Sequence, residues 1–414
     1  MTWNLDFATL PQQNSRSVSI RVNRRGENDL RRGYPWVHEA GVIRQSHNGA
    51  PGDLGVVFDS RKKVAGIGLY DPLGPLRLRV LAHQGTPIDE RFFHQRVGEA
   101  AQKRAPLLKQ HTDGYRVIHG ENDGLGGLIV DRYGDTVVVK LYTSAWVPHL
   151  KAVLEGLANA LPYSRCVLRL NRSIQESPEH LAGLYDGQVL RGEPPEGAVI
   201  FRENGLRFEA EPIVGQKTGF FLDQRDNRAR VEAISEGKRI LNVFAYNGGF
   251  SLYAARGGAK EVTSVDISAW SMAACARHFD LNADVPSIAR CPHREITGDA
   301  FKVMEELARK GERWDVVIID PPAFARRRSQ VPGALRAYGR LARVGAKLTS
   351  PGGHLVLASC SRPVDAPMFF DNARSSIGQS GRALVDSEET SHGVDHPVTF
   401  EGGAYLKCLW AHLR

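Results

Sequence analysis

From Lys238 onward the chain alternates apolar strands with helical segments, and few folds accept that order. Arg239–Phe244, Glu261–Asp266, Trp314–Asp320 and Gly353–Ser359 read as strands, each a short apolar run bounded by turn residues. Phe250–Arg256, Ala269–Asn282, Asp299–Lys310 and Gly333–Leu348 fill the intervals as helices. Apolar strands of this kind are buried on both faces and need helices on both, so the pattern predicts a parallel, doubly wound α/β sheet. A ligand in such a sheet sits beyond the carboxyl ends of the strands.

The loops at those ends carry the candidate chemistry. The first strand runs into Ala245-Tyr246-Asn247-Gly248-Gly249, where small residues let the backbone approach a ligand closely. The next strand ends in Asp266, a carboxylate able to accept both ribose hydroxyls of a nucleoside. Gly298-Asp299-Ala300 opens a later helix, where a second acid could reach an adenine amino group. The plainer alternative is a Gly turn, with Asp266 capping a helix through Ser268. The loop is not the GxGxxG that grips a pyrophosphate. That disfavours NAD and FAD and favours a nucleoside cofactor without phosphates, such as S-adenosylmethionine.

The third strand ends in Asp320-Pro321-Pro322-Ala323-Phe324. Two prolines stiffen this loop. It could hold Asp320 and main-chain carbonyls against a planar base, with Phe324 available for stacking; an ordinary β-to-α turn is the alternative. The fourth strand runs into Ser359-Cys360-Ser361 and sets a thiol at the same edge. Cys is often a small buried hydrophobe. At the mouth of a pocket its thiolate can add to carbon 6 of a pyrimidine and make carbon 5 nucleophilic. Cys166, Cys275, Cys291 and Cys408 lack such neighbours and read as structural. No CxxC pair occurs, so neither a zinc site, nor any other metal site, nor a disulfide framework is expected.

Upstream, residues 1–15 read as a loose polar tail. Residues 16–85 read as a small barrel of five short strands, among them Val18–Val22, Gly55–Phe58, Ala65–Leu69 and Leu76–Leu81. Residues 86–193 read as an α+β middle domain, with a helix over about Asp89–Leu108 and β structure around Tyr115–Leu141. A second helix follows over Trp146–Leu161, then a strand at Cys166–Leu170. Residues 194–414 form the doubly wound domain and open with a hairpin, Val199–Phe201 and Leu206–Phe208, turned at Asn204-Gly205. The N-terminus lacks a basic start and an apolar run, and no stretch is long enough to span a membrane, so a cytoplasmic location is expected.

Lys and Arg number 54 against 46 Asp and Glu, a net charge of +8, with a pI near 9.3. The moderate excess fits either a basic soluble protein or one with a phosphate-bearing partner. Arg16, Arg21, Arg24, Arg25, Arg31 and Arg32 cluster near the N-terminus, and Arg326, Arg327 and Arg328 follow the Asp320 loop. They are either solvated faces or contacts to RNA phosphates, and Tyr34 and Trp36 either stack on bases or serve as core of the small barrel.

Together these residues resemble the PUA-containing, S-adenosylmethionine-dependent class I rRNA methyltransferases. Leu241–Ser251 is similar to that family's first motif, and Lys217-Thr218-Gly219-Phe220-Phe221-Leu222-Asp223-Gln224-Arg225-Asp226-Asn227-Arg228 to a string on the approach to the cofactor pocket. Asp320–Phe324, Ser359–Ser361, Asp395-His396-Pro397 and Tyr405-Leu406-Lys407 match later motifs. Gly33–Val37 and Gly66–Gly68 resemble the PUA barrel, and Gly120–Leu125 the middle domain, although Gly126 stands where many members carry Pro.

The resemblance implies a Rossmann-like methyltransferase domain that methylates carbon 5 of a cytosine in 23S rRNA, with Cys360 as nucleophile and Asp320 beside it. It places Phe244, Ala245, Tyr246, Asn247, Gly248, Asp266, Ile267, Asp299, Ala300, Asp320, Gln224 and Arg225 at the cofactor. It gives Pro321, Pro322, Phe324, Arg326, Arg327, Arg24, Arg25, Arg32 and Trp36 to the RNA. Other RNA cytosine-5 methyltransferases carry a second Cys beside the Pro of the Asp320 motif. This chain, like the family it resembles, has none, so the base that removes the carbon 5 proton is unassigned. Related proteins with the same loop methylate a guanine nitrogen, and a small-molecule methyltransferase is a further alternative. A homodimer is one assembly this reading allows.

Overall fold

The computed structural model describes residues 2–14, 16–83, 85–215 and 218–414. Lys217, the first residue of one motif string, lies outside them. The chain divides into two compact units, one of residues up to Leu222 together with Val394–Gly403, the other of Asp223–Gly393 and Ala404–Arg414.

The first unit opens with a six-stranded sheet. Its strands are β1 (Val18–Val22), β2 (Trp36–His38), β3 (Val42–Gln45), β4 (Leu54–Phe58), β5 (Val64–Tyr70) and β6 (Leu76–Ala82), in the order β2-β6-β5-β4-β1-β3. The alternating burial of β1 sends Val18, Ile20 and Val22 into a core shared with Val57, Leu78 and Val80. One more strand is present than expected, and Arg24–Arg31 forms helix α1. Its polar composition hid that helix, which is anchored by Asn23 accepting a hydrogen bond from the Gly26 amide at 2.9 Å.

The middle region follows as α2 (Glu90–Leu108), β7 (Gly114–His119), β8 (Leu128–Tyr133), β9 (Thr136–Leu141), α3 (Leu150–Ala160), β10 (Arg165–Leu170), the short α4 (Arg172–Gln175) and β11 (Val189–Arg191). The sheet order is β11-β10-β9-β8-β7. The expected loose tail is docked instead. Leu5 and Leu10 are buried in this unit's core, Trp3 bridges Arg191, and the Asn4 side chain donates to the Gly192 carbonyl at 2.7 Å. Scattered apolar residues in a polar segment leave no periodicity to read.

The hairpin β12 (Val199–Glu203) and β13 (Leu206–Ala210) turns at Asn204 and Gly205, with φ of 48° and 83°. It was expected to open the C-terminal domain but belongs to the first unit. Phe201 packs against Tyr133 and over Gly114, where a Cβ would lie 2.0 Å from its ring. Residues 218–222 belong there too, since Thr218 Oγ1 donates to Asp131 and the Phe220 amide to the Tyr133 hydroxyl.

The second unit contains α5 (Arg225–Ala233), β14 (Arg239–Val243), α6 (Gly249–Arg256), β15 (Glu261–Asp266), α7 (Ala269–Leu281), α8 (Pro286–Arg290), β16 (His293–Thr297), α9 (Ala300–Arg309) and β17 (Trp314–Ile319). It closes with α10 (Val331–Leu348), β18 (Thr349–Ser359), α11 (Ala366–Gln379), β19 (Leu384–Thr390) and β20 (Lys407–Leu413). The sheet order is β16-β15-β14-β17-β18-β20-β19. All pairs from β16 to β18 are parallel, as expected. The last two strands are antiparallel, with β20 inserted between β18 and β19. Leu241, Val243, Val317, Ile319, Leu355 and Leu357 form the buried middle. Among the described residues no helix is long and apolar enough to cross a membrane.

Candidate active site

The sheet register brings the four loops together. Val243 of β14 pairs with Val265 of β15 and with Ile319 of β17, and Ile319 pairs in turn with Leu357 of β18. Adjacent strands lie about 4.8 Å apart. The Gly248 turn, Asp266, Asp320 and Cys360 therefore end four neighbouring strands on one edge.

The Gly248 turn is backbone under constraint. Phe244 and Tyr246 hold φ of 60° and 49°, values costly for side chains of their size. Hydrogen bonds hold them there. The Ala245 amide donates to the Val265 carbonyl at 2.9 Å, and the Tyr246 amide to Asp266 Oδ2 at 2.8 Å. Beneath the turn, His278 Nδ1 donates to the Asn247 carbonyl at 2.8 Å, and burial pushes that imidazole down to about 4, so the ring is neutral. Gly248 has φ 77°, and a Cβ there would lie 2.0 Å from Cys275 Sγ. Gly248→Ala should therefore destabilise the second unit by about 3 kcal/mol, from strain plus overlap. Urea unfolding measures this; an unchanged midpoint would mean the turn adapts freely.

Asp266 takes the helix-capping role that the sequence allowed. Its Oδ1 accepts the Ser268 amide at 2.9 Å, and Ser268 in turn caps α7. A carboxylate offers about four lone-pair sites, so acceptor capacity remains for ribose hydroxyls. Ile267, 72% exposed, offers an apolar face beside it. Asp299 is exposed and its Oδ1 caps α9 through the Lys302 amide at 3.0 Å, while Ala300 is buried. The Gly248 cradle, Asp266 and Ile267 together fit a nucleoside, which is the bulk of S-adenosylmethionine. Gln224 and Arg225 are buried; Gln224 Oε1 accepts from Asn227 and Arg225 Nε donates to Asp226.

The Asp320 and Cys360 loops are braced against each other. The Ala325 amide donates to Ser361 Oγ at 3.2 Å. The Tyr338 hydroxyl of α10 shares a hydrogen bond with Ser361 Oγ at 2.8 Å and accepts from Ser359 Oγ at 2.9 Å. Burial raises the Tyr338 phenol above its ordinary value, so it stays a neutral buckle. Cys360, between the two serines, is part-exposed, whereas Cys166, Cys275 and Cys408 are buried. Cys291 is also part-exposed, but burial pushes its thiol up to about 11. Lys407 of β20 lies opposite Ser359 and donates to the carbonyls of Ser361 and Val364, both at 2.8 Å.

Two expected base-stacking rings are otherwise engaged. Phe324 packs against Tyr338 at 5.0 Å and Phe301 at 6.2 Å. Trp36 gives its indole N–H to Glu121 Oε1 at 2.8 Å and lies 5.4 Å from Phe400. Both rings serve packing because half-buried aromatic area is best covered by other rings. Pro321 is buried, whereas Pro322, Arg326, Arg327, Arg24, Arg25 and Arg32 are exposed. Sequence reading passed over Tyr338 and His278, which look like ordinary helix residues in α10 and α7.

Comparison with known proteins extends this geometry. Residues 180–388 match a family described as S-adenosylmethionine-dependent methyltransferase, and residues 20–83 match a PUA-like domain. The chain is 47% identical over 410 residues to a ribosomal RNA large subunit methyltransferase of Deinococcus radiodurans, covering 97% of this chain and 99% of that protein. It is 32% identical over 404 residues to ribosomal RNA large subunit methyltransferase I of Aeromonas salmonicida, covering 96% and 100%. A solved methyltransferase complexed with SAH shares the fold at a TM-score of 0.78 and 21% identity, covering 96% of this chain and 99% of that one.

Proposed function

The chain belongs to the S-adenosylmethionine-dependent ribosomal RNA large subunit methyltransferases, and from that premise we propose that it methylates carbon 5 of a cytosine in 23S rRNA through a covalent adduct on Cys360. The observation that carries the reading is the part-exposed Cys360 thiol just past the end of β18, beside the strand that runs into Asp320 and on the sheet edge that also presents Asp266.

S-adenosylmethionine supplies an electrophilic methyl group on a sulfonium. The residues of the chain do the rest. The Gly248 turn, Asp266, Ile267 and Ala300 hold the nucleoside part. The Cys360 thiolate adds to carbon 6, forming an Sγ–C6 bond and pushing an electron pair toward carbon 5 and the ring carbonyl. Asp320 hydrogen-bonds the ring nitrogen or exocyclic amine and stabilises the adduct. Carbon 5 takes the methyl group as the methyl–sulfur bond breaks and a neutral thioether leaves; its proton then passes to a base and the Sγ–C6 bond breaks, which regenerates the thiolate.

The target base must leave its stack to reach this edge, so an unpaired or loop nucleotide is the substrate. The PUA-like barrel, with Arg24, Arg25 and Arg32 exposed on and beside α1, and Arg326 and Arg327 at the catalytic loop, supply phosphate contacts. The setting is the cytoplasm, where rRNA is made and assembled.

Incubation of rRNA with enzyme and labelled S-adenosylmethionine, followed by nucleoside mass spectrometry, tests the reading. Labelled 5-methylcytidine is expected; a label on guanosine would reassign the base. Raising salt from 50 to 200 mM should weaken RNA binding by at least about tenfold. A flat salt profile would remove the arginines from the interface.

A further inference from the structure

Lys407 is a buried ammonium with no carboxylate in salt-bridge distance among the described residues. It is 5% exposed, its two hydrogen bonds go to main-chain carbonyls, and an ammonium has a third N–H to give. Those carbonyls belong to Ser361 and Val364, so the charge sits inside the loop that begins at Cys360. Burying a lone positive charge is costly unless an anion offsets it. The groups acting on Lys407 that could be anionic are the Cys360 thiol and Asp365, the residue that caps α11. The other ionisable groups at this corner are Tyr338 from α10, which feels Cys360, Cys408 next to Lys407, which feels Asp320, and Arg362, exposed beyond the loop. Lys407 is the buried cation among them.

We propose that Lys407 is the positioning residue that holds Cys360 in its thiolate form, by placing a buried positive charge in the loop and engaging the Ser361 and Val364 carbonyls. The inference rests on the reading of Cys360 as nucleophile. Burial brings the Lys407 ammonium down to about 8, so it is still mostly charged at neutral pH. The charge costs no reorganisation when the thiolate forms, because the strand pairing of Lys407 with Ser359 sets it in place beforehand.

The test is the pH dependence of Cys360 alkylation by iodoacetamide, read by peptide mass spectrometry so that Cys291 is counted separately. In Lys407→Gln the midpoint should rise by about one unit, slowing alkylation at pH 7 roughly tenfold. Lys407→Arg should keep the midpoint near that of the native protein. Methyl transfer by Lys407→Gln should lose kcat at neutral pH, recover as pH rises, and keep its KM for RNA. A purely structural lysine would lower activity at every pH with the alkylation midpoint unmoved, and that result would overturn the proposal. If Lys407→Gln does not fold, the same coupling is read in reverse. NMR of 13C-labelled lysine in Cys360→Ala should show Lys407 titrating at lower pH than in the native protein, because linkage is reciprocal; an unmoved titration would overturn it. Full methyl transfer by Cys360→Ala would instead remove the nucleophile, leaving the alkylation result to decide Lys407 alone.

Discussion

Cys360→Ala should lower methyl transfer to cytosine roughly a thousandfold or more while leaving donor affinity and fold intact, since it removes the group proposed to activate carbon 5. The separation is expected from the geometry. The loop is braced by the Tyr338, Ser359 and Ser361 hydroxyls and by Lys407, none of which needs the sulfur. The proposed donor side, the Gly248 turn and Asp266, is held by bonds on the far side of β14 from β18. RNA carrying 5-fluorocytosine should form a covalent complex with the native enzyme and none with Cys360→Ala, because fluorine at carbon 5 blocks release of the adduct. Undiminished transfer by the variant would end the covalent mechanism and favour direct attack by a ring nitrogen, as in the guanine alternative.

The largest stability effect is expected in the first unit, at Arg104. Its side chain is fully buried and makes a two-pronged pair with Asp123, at 2.8 and 2.7 Å. It also donates to the carbonyls of Ala100 and Asp395. Arg104→Met leaves the Asp123 carboxylate buried with, among the described residues, the His119 amide at 2.7 Å and a more distant Lys103 ammonium at 3.7 Å. The cost should be about 3–5 kcal/mol, the range for breaking one side of a buried pair. The double variant Arg104→Met/Asp123→Leu should recover most of that, because no uncompensated charge remains. Urea unfolding of the two variants checks both statements. A loss below about 1 kcal/mol in the single variant would mean that water reaches the pair.

The Arg104 site also bears on one of the family-like motifs. Asp395-His396-Pro397 resembled a family string, yet it lies in the segment that belongs to the first unit. Asp395 Oδ2 accepts the Arg116 amide at 3.1 Å, its carbonyl accepts from Arg104, and the His396 ring lies 5.0 Å from that of His119. Thr399 follows, its amide donating to Asn122 Oδ1 at 2.9 Å. These residues fasten a returning segment to the middle region, and the motif is accounted for by that anchoring.

The legible part of the site was local. Each of the four loops follows directly from a strand whose apolar run is visible in the sequence, and a parallel sheet leaves such loops on one edge whatever the details. Asp266, Asp320 and Cys360 could therefore be named from strand ends alone. Phe324 and Trp36 pack against other rings, which the sequence does not reveal because an aromatic side chain looks the same there whether it faces solvent or another ring. Tyr338 gave no sign of its role, since its helix reads as ordinary amphipathic packing and its partners are more than 20 residues away.

What the amino-acid order determined alone is the run of strand, turn and acid from Arg239 to Ser359, because each step depends on residues near in sequence. Tertiary structure decided three things. It docked the N-terminal segment and the Asn204-Gly205 hairpin in the first unit. It slid β20 antiparallel between β18 and β19. By that insertion it set the Lys407 ammonium against the carbonyls of Ser361 and Val364, in the loop that begins at Cys360. Those outcomes depend on which apolar faces remain uncovered and which buried charges find partners once the chain is compact, and neither is a property of any short stretch of sequence.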